Sequence, residues 1–220
     1  MEYKINITIL GGCEVTVRHG EETKTVDFTS RKRWTLFEYL YFNRNQFTSL
    51  ALLKEALWGD EVIRNPSNSV KVLVYEIRKA FDQAFQGLGK RIIRQKYGAY
   101  YLHEDKGIIF ECDAELFERA SLFAMNTKRL EDIRHAKRSY LGHVQITNGS
   151  TMWQIMLQKQ YQAYYEKLVQ TEIECLALDG NMEEAVKTCA DAILLFPEGQ
   201  IYKSKYNQLK MEYEHGNTGG

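Results

Sequence analysis

One predicted helix carries a mixed polar and apolar face whose side chains could bind a nucleic acid. It lies in the stretch NPSNSVKVLVYEIRKAF, which ends at Phe81. At about 100° per residue, the face comprises Asn68, Val72, Tyr75 and Lys79, flanked by Lys71, Glu76 and Arg78. Lysine and arginine bind phosphates or guanine edges, asparagine binds adenine, and valine can contact a thymine methyl group. A solvent-exposed side of a core helix would show a similar pattern, so both interpretations stay open on this segment alone.

The opposite side of the same helix is apolar and should anchor it in a core. The stripe consists of Val70, Leu73, Val74, Ile77 and Phe81. Pro66 disfavours a helical conformation for Asn65. Ser67, Asn68 and Ser69 can cap free backbone N–H groups, so we expect the helix to begin among them.

Strands are predicted on both sides of the helical segment. Alternating apolar and polar residues over 3–28 predict three or four short antiparallel strands, with breaks at Gly11-Gly12 and His19-Gly20. Residues 90–110 also alternate, with turns expected at Gly98 and at 105–107. A sheet, three helices and a closing hairpin in this order describe a winged helix, whose third helix enters the major groove.

Two helices are predicted between the first strands and the basic helix. The first covers 29–45 and should bury Trp34, Phe37, Leu40 and Tyr41. The second should be capped by Thr48 or Ser49 and should end at Gly59.

The second half of the chain is predicted to be all helical. One segment has the pattern of a tetratricopeptide unit, with residues at its turn, helix-contact and stop positions: Gly180, Ala185, Cys189, Ala192 and Pro197. A generic helical bundle remains the alternative. The predicted fold is therefore an α+β winged helix-turn-helix domain, residues 1–110, followed by an all-α tetratricopeptide-like domain, residues 111–220. A second turn of the same kind is expected at Gly216-Asn217. In the first unit Ala185 follows Gly180 by five residues, so the equivalent alanine after Gly216 would be residue 221. We therefore expect the helical domain to be truncated at its carboxy end.

Charge is unevenly distributed along a chain whose formal net charge is zero. Residues 1–110 contain 17 Lys and Arg against 13 Asp and Glu. Within 64–103 there are eight basic residues and two acidic ones. A local excess of this kind is what binding to a polyanion requires.

The sequence contains none of the common motifs of catalytic or metal-binding sites. There is no phosphate-binding GxxxxGK[ST], no GxSxG and no HExxH, so we expect neither catalytic activity nor a cofactor. The four cysteines lie far apart without a CxxC pair, and the five histidines are scattered, which argues against a metal site. No segment has the length and apolarity of a membrane span, and we expect a cytoplasmic location.

The stretch ALWGDEVIRNPSNSVKVLVYEIRKAF, followed by IIRQKYGAYYL, resembles the OmpR-type winged helix of the Streptomyces antibiotic regulatory protein (SARP) family. The helical half, with its Gly180 to Pro197 unit, is similar to the bacterial transcriptional activation domain of that family. The resemblance implies a cytoplasmic, nucleoid-associated transcription factor that acts as an activator. It would bind direct repeats in double-stranded DNA as a homodimer and contact RNA polymerase.

When the family's DNA-contacting positions are carried over to this sequence, the resemblance implies a set of DNA-contacting residues. They are Arg31, Arg33, Asn68, Lys71, Val72, Tyr75, Arg78, Lys79, Lys96 and Tyr97. Arg31 and Arg33 would hold phosphates, Lys96 and Tyr97 would form the wing tip, and Trp58 would lie in the core. Two positions depart from the family pattern.

The first departure is Glu76, which repels phosphate but could accept a hydrogen bond from cytosine N4. The second is Ala99, which replaces a glycine of the wing. Glu76 and the neutral overall charge leave an alternative function open, a winged-helix and helical-repeat adaptor that binds proteins rather than DNA.

Overall fold

A computed structural model of the chain describes residues 2–146, 149–196 and 200–217. The chain forms two compact units. Unit 1 consists of Met1–Ala114 and Gly142–Lys159, and unit 2 consists of Glu115–Leu141 and Gln160–Gly220. Unit 1 therefore includes a segment, Gly142–Lys159, that follows the first helices of the all-α half.

The described residues contain six strands and nine helices. The strands are β1 (Tyr3–Thr8), β2 (Glu14–His19), β3 (Glu22–Thr25), β4 (Ile93–Lys96), β5 (Ala99–Leu102) and β6 (Ile108–Cys112). The helices are α1 (Arg31–Phe42), α2 (Leu50–Trp58), α3 (Pro66–Ala84), α4 (Leu88–Ile92), α5 (Asp113–Thr127), α6 (Leu130–Arg138), α7 (Met152–Leu178), α8 (Met182–Leu195) and α9 (Gln200–Asn217). No helix in these described ranges is long and apolar enough to cross a membrane.

The amino-terminal sheet has the strand order β3-β2-β1-β6. Alternation over 3–28 predicted three or four antiparallel strands, and the structure has three, β1 to β3. The last strand, however, does not extend the closing hairpin. β6 pairs in parallel with β1, with Ile5 opposite Phe110, while β4 and β5 form a separate two-stranded wing. The fourth strand of the first sheet is therefore supplied by a segment that lies more than a hundred residues after β1 in the sequence.

The short helix α4 was not anticipated, because residues 90–92 were predicted to begin a strand. The backbone N–H of Gly89 donates to the Asp82 carboxylate at 2.8 Å, which fixes α4 against the end of α3. A Cβ at Gly89 would lie 2.2 Å from the backbone oxygen of Arg78. This close approach overrides the strand propensity of the isoleucines that follow.

Helices α1 and α2 of unit 1 form and pack as predicted. The four aromatic and aliphatic residues predicted to face inward from α1 are buried: Trp34, Phe37, Leu40 and Tyr41. Ser49 caps α2 by accepting a hydrogen bond from the Leu52 N–H at 3.3 Å, and the helix ends at Gly59, whose φ is +54°. Trp58 lies in the core, as predicted.

The start of α3 differs from the prediction. Asn65 is the cap, and its side chain accepts a hydrogen bond from the Asn68 N–H at 3.1 Å. Pro66 occupies the first turn, where its fixed φ suits the helix and its missing N–H costs nothing. Ser67, Asn68 and Ser69 are therefore helical residues rather than caps.

Unit 2 is all helical. The predicted helix-contact residues Ala185, Cys189 and Ala192 are buried along α8, which packs closely against α9. Pro197 lies outside the described residues. Helix α9 continues through Asn217, so the turn predicted at Gly216-Asn217 is wrong.

A charged network crosses unit 2. The guanidinium of Arg134 donates to Glu172 at 2.9 Å and to Glu184 at 2.6 Å, and Lys137 also binds Glu172. Because Glu172 is buried, these partners are needed to offset its desolvation. The network joins α6, α7 and α8.

Candidate nucleic-acid interface

One side of α3 is buried and the other is exposed, as its sequence pattern predicts. Val70, Val74, Ile77 and Phe81 are buried in unit 1. The exposed residues, which we call the α3 face, are Asn68, Lys71, Val72, Tyr75 and Lys79. Val72 is 50% exposed and Tyr75 is 62% exposed, although burying both would be favourable. The α3 face therefore combines donors, cations and apolar groups on one accessible surface.

The wing ends in a two-residue loop between Lys96 and Ala99. Tyr97 and Gly98 have φ values of +53° and +78°, the left-handed geometry of a type I′ hairpin turn. The Tyr97 side chain is 90% exposed, and the Lys96 ammonium lies 5.1 Å from the centre of its ring. The wing tip, Lys96 and Tyr97, thus presents a cation and an aromatic ring to solvent.

Arg78 connects α3 to the wing. Its Nε and Nη2 atoms donate to the backbone carbonyl of Ile93, at 3.1 and 2.9 Å. The resemblance implies that Arg78 contacts DNA, whereas this geometry commits part of its guanidinium to β4. Arg78 is therefore a residue that positions α3 against the first strand of the wing.

Arg33 of α1 is also engaged within unit 1. It donates to the Thr29 hydroxyl at 2.6 Å and forms an ion pair with Glu76 of α3, with 3.5 Å between Nη2 and Oε2. One carboxylate oxygen of Glu76 is therefore paired with a cation of α1, a contact that the sequence pattern did not predict. The pair neutralises a carboxylate beside the α3 face, which lowers the repulsion that Glu76 alone would exert on a phosphate.

Arg31 lies elsewhere. Its guanidinium donates to the Cys13 thiol at 3.4 Å and to the backbone carbonyl of Gln145. Arg31 and Arg33 are two residues apart, about 200° around the helix, so they leave α1 in nearly opposite directions. Burial raises the pKa of the Cys13 thiol, and Arg31 acts in the opposite direction. The structure does not bring Arg31 to the α3 face.

The sequence pattern did not predict the contact between Asp82 and Gly89. It joins α4 to the end of α3, one helical turn beyond Arg78. The available signal was the pair of glycines in QGLGK, because a glycine often marks a close approach of two backbone segments. Within the part of the chain that the structure describes, no group of His, Cys, Asp and Glu could hold a metal ion.

Comparison with known proteins agrees with this arrangement. Residues 23–102, from β3 to the end of β5, match the family described as transcriptional regulatory protein, C terminal. No curated protein sequence matches the chain. Among solved structures, the chain is similar to Mycobacterium tuberculosis EmbR in complex with a low affinity phosphopeptide.

The similarity to EmbR concerns the fold. The TM-score is 0.66 at 18% sequence identity, over 94% of this chain and 55% of the EmbR chain. This chain therefore corresponds to about half the length of the matched structure. The match to a family of transcriptional regulatory proteins is confined to residues 23–102. The chain thus has an OmpR-type winged helix, of the kind found in the family of transcriptional regulatory proteins that residues 23–102 match, followed by a helical region.

Proposed function

We propose that this chain recognises a specific double-stranded DNA sequence by placing the α3 face in the major groove. The observation that carries the proposal is the exposure of Asn68, Lys71, Val72, Tyr75 and Lys79 along one side of a helix whose other side is buried. A helix with this surface fits the major groove of B-DNA.

The residues of the α3 face have different roles in this proposal. Val72 and Tyr75 contact bases, and Asn68 has the donor and acceptor pair that adenine requires. Lys71 and Lys79 bind phosphates and fix the register of the helix. Arg33 and Arg78 support the α3 face from within the domain, through Glu76 and Ile93.

The wing tip extends the interface. Lys96 supplies a further phosphate contact, and the exposed Tyr97 ring packs against the sugar-phosphate backbone or enters the minor groove beside α3. The hydrogen bonds from Arg78 to Ile93 support this role, because they hold the strand that leads to the wing tip against α3.

The wider function is also part of the proposal. Residues 1–110 form the DNA-binding domain and 111–220 the activation domain, with Gly142–Lys159 packed in the first unit. The chain binds direct repeats as a homodimer and activates transcription by contacting RNA polymerase, in the cytoplasm at the nucleoid. The SARP-like arrangement of a winged helix and a helical region supports these assignments.

The ion pair of Glu76 weakens one argument for the alternative function, a protein-binding adaptor. It was favoured by Glu76, a negative charge on the flank of the recognition helix, and that carboxylate is paired with Arg33. A protein-binding adaptor would also bind its partner through apolar contacts, whose affinity depends weakly on salt. DNA binding depends steeply on salt because phosphate contacts release counterions.

Salt dependence therefore tests the proposal. The affinity of the 220-residue chain for a duplex should be measured over a series of salt concentrations, for the wild type and for Lys79→Ala. We expect the variant to bind more weakly and to lower the slope of log affinity against log salt by about one unit. Lys187→Ala, an exposed lysine of α8, is the matched control and should change neither quantity. An unchanged slope in Lys79→Ala would refute the assignment of the α3 face.

A further inference from the structure

A groove of about 730 Å³ lies in unit 1 and is lined by none of the residues assigned to DNA. Its walls come from α1, from α2 with the loop that follows it, and from the first turns of α7. Tyr39, Trp58 and Trp153 contribute aromatic surface. The groove opens to solvent and belongs wholly to unit 1, because Gly142–Lys159 packs within that unit.

The base of the groove is held by hydrogen bonds. The Trp153 indole N–H and the Thr151 hydroxyl both donate to the backbone carbonyl of Ala56, each at 2.9 Å. The Tyr39 and Trp153 rings meet edge to face, with 5.2 Å between their centres. These contacts fix the start of α7 on α2, so a ligand would not have to order the walls when it binds.

The rim of the groove exposes apolar side chains. Met152 is 70% exposed, Met156 is 64% exposed and Leu52 is 49% exposed. Met152 and Met156 are four residues apart on α7, so they lie on the same side of the helix. Methionine is flexible and polarisable, and it is common on surfaces that bind apolar faces of partner helices. Leaving three such residues in water is unfavourable unless a partner covers them.

The same rim is acidic. Glu55 of α2 and Asp60 and Glu61 of the following loop line the groove and are exposed. None of the three forms an ion pair with a described residue. Three carboxylates beside exposed apolar side chains select a partner that combines apolar and basic side chains.

We propose that this groove docks a basic amphipathic helix of a partner protein. A helix is favoured over an added strand because the groove walls are helices and a loop, and no sheet edge lines them. The apolar side of the incoming helix covers Leu52, Met152 and Met156. Its lysines and arginines face Glu55, Asp60 and Glu61. The surface is distinct from the α3 face, so it can bind a partner while α3 binds DNA.

Two synthetic helical peptides test the charge requirement on the full chain. Each is about 15 residues, roughly 22 Å of helix, with a leucine stripe on one side. One carries lysines on the other side and the second carries glutamates. Anisotropy of the fluorescently labelled peptides measures binding. We expect the lysine peptide to bind about tenfold tighter or more, with an affinity that falls as salt is added.

Substitutions then locate the binding surface. Glu61→Lys and Met156→Gln should each weaken binding of the lysine peptide by about tenfold. Their matched controls are Glu21→Lys in the turn between β2 and β3, and Met211→Gln on α9, which is 57% exposed. Thermal unfolding of every variant shows whether it is folded.

Three outcomes would overturn the proposal. One is equal affinity for the lysine and glutamate peptides. Another is a loss of binding in the controls as large as in Glu61→Lys and Met156→Gln. The third is a chain that is dimeric alone and becomes monomeric with Met156→Gln, because the groove would then be filled by a second copy of this chain.

Discussion

The Arg78 guanidinium donates two hydrogen bonds to the backbone carbonyl of Ile93, at 3.1 and 2.9 Å. This contact joins the helix that carries the α3 face to the strand that leads to the wing tip. The two parts of the proposed interface are thereby held in one arrangement before DNA binds, which reduces the ordering cost of binding.

Removing the Arg78 side chain should destabilise the protein. Arg78→Ala deletes two hydrogen bonds from a charged donor, and we expect a loss of about 1.5–3 kcal/mol in the free energy of unfolding, measured with urea. Lys79→Ala, one residue away on the α3 face, should weaken DNA binding without this loss. If Arg78→Ala unfolds like the wild type but lowers the salt slope of DNA binding, Arg78 is a phosphate contact instead.

Gly89 should tolerate no side chain. In Gly89→Ala the new Cβ would lie 2.2 Å from the Arg78 oxygen and 2.6 Å from its Cα, so backbone atoms of α3 or α4 must move. We expect a destabilisation of about 1–3 kcal/mol and weaker DNA binding, because the displaced segment carries Arg78 and Lys79. Gly12→Ala is the matched control, since its Cβ would meet only the Thr8 methyl group at 3.6 Å. Equal unfolding curves for the two variants would contradict the packing described here.

Stability should depend on the buried carboxyl group of Glu38. Burial raises its pKa to about 7 from an ordinary value of 4.5, while the hydrogen bond from Gln154 and the charge of Arg31 act in the opposite direction. The folded protein binds this proton more tightly than the unfolded chain does. The resulting stabilisation is present below pH 4.5 and is lost as pH rises through about 7, by an amount on the order of 3 kcal/mol.

Glu38→Gln removes the ionisable group and keeps an oxygen that accepts the Gln154 hydrogen bond, which is 3.1 Å long in the wild type. We expect this variant to be more stable than the wild type at pH 8 and to lose less stability between pH 5 and pH 8. Urea unfolding at the two pH values measures both effects. Glu55→Gln, at an exposed position of α2, serves as the control. The same pH dependence in Glu38→Gln and the wild type would rule out this role of Glu38.

At the wing tip, a substitution that raises stability should weaken DNA binding. Tyr97 adopts a left-handed conformation that asparagine accepts more easily, and Asn-Gly is a preferred type I′ turn. We expect Tyr97→Asn to stabilise the chain by about 1 kcal/mol and to weaken DNA binding through loss of the ring. Tyr97→Phe, which keeps the ring, should retain the DNA affinity. A Tyr97→Asn variant that binds DNA as the wild type does would remove Tyr97 from the interface.

Local features of the fold could be predicted from the sequence. The apolar stripe from Val70 to Phe81 has helical spacing, so it specified both the helix and its buried side. Ser49, Gly59 and Gly98 were identifiable because capping and left-handed turns depend on residue type at single positions. The same reasoning placed the α3 face and the wing tip correctly on the surface.

Long-range contacts could not be predicted in this way. The parallel pairing of β6 with β1 and the position of Gly142–Lys159 in unit 1 arise from packing, which periodicity does not record. The engagement of Arg33 and Arg78 within the domain was missed for the same reason. A basic residue on a helix has the same sequence signature whether it binds a phosphate or a neighbouring carbonyl.

The most direct test of sequence recognition through α3 is selection of bound duplexes from a random DNA pool by the 220-residue chain, for the wild type and Val72→Ala. If α3 reads the bases, the wild type enriches a repeated motif, and the variant loses its preference at one position of that motif. Retention of DNA without any motif, or no retention even at low salt, would contradict sequence recognition through α3.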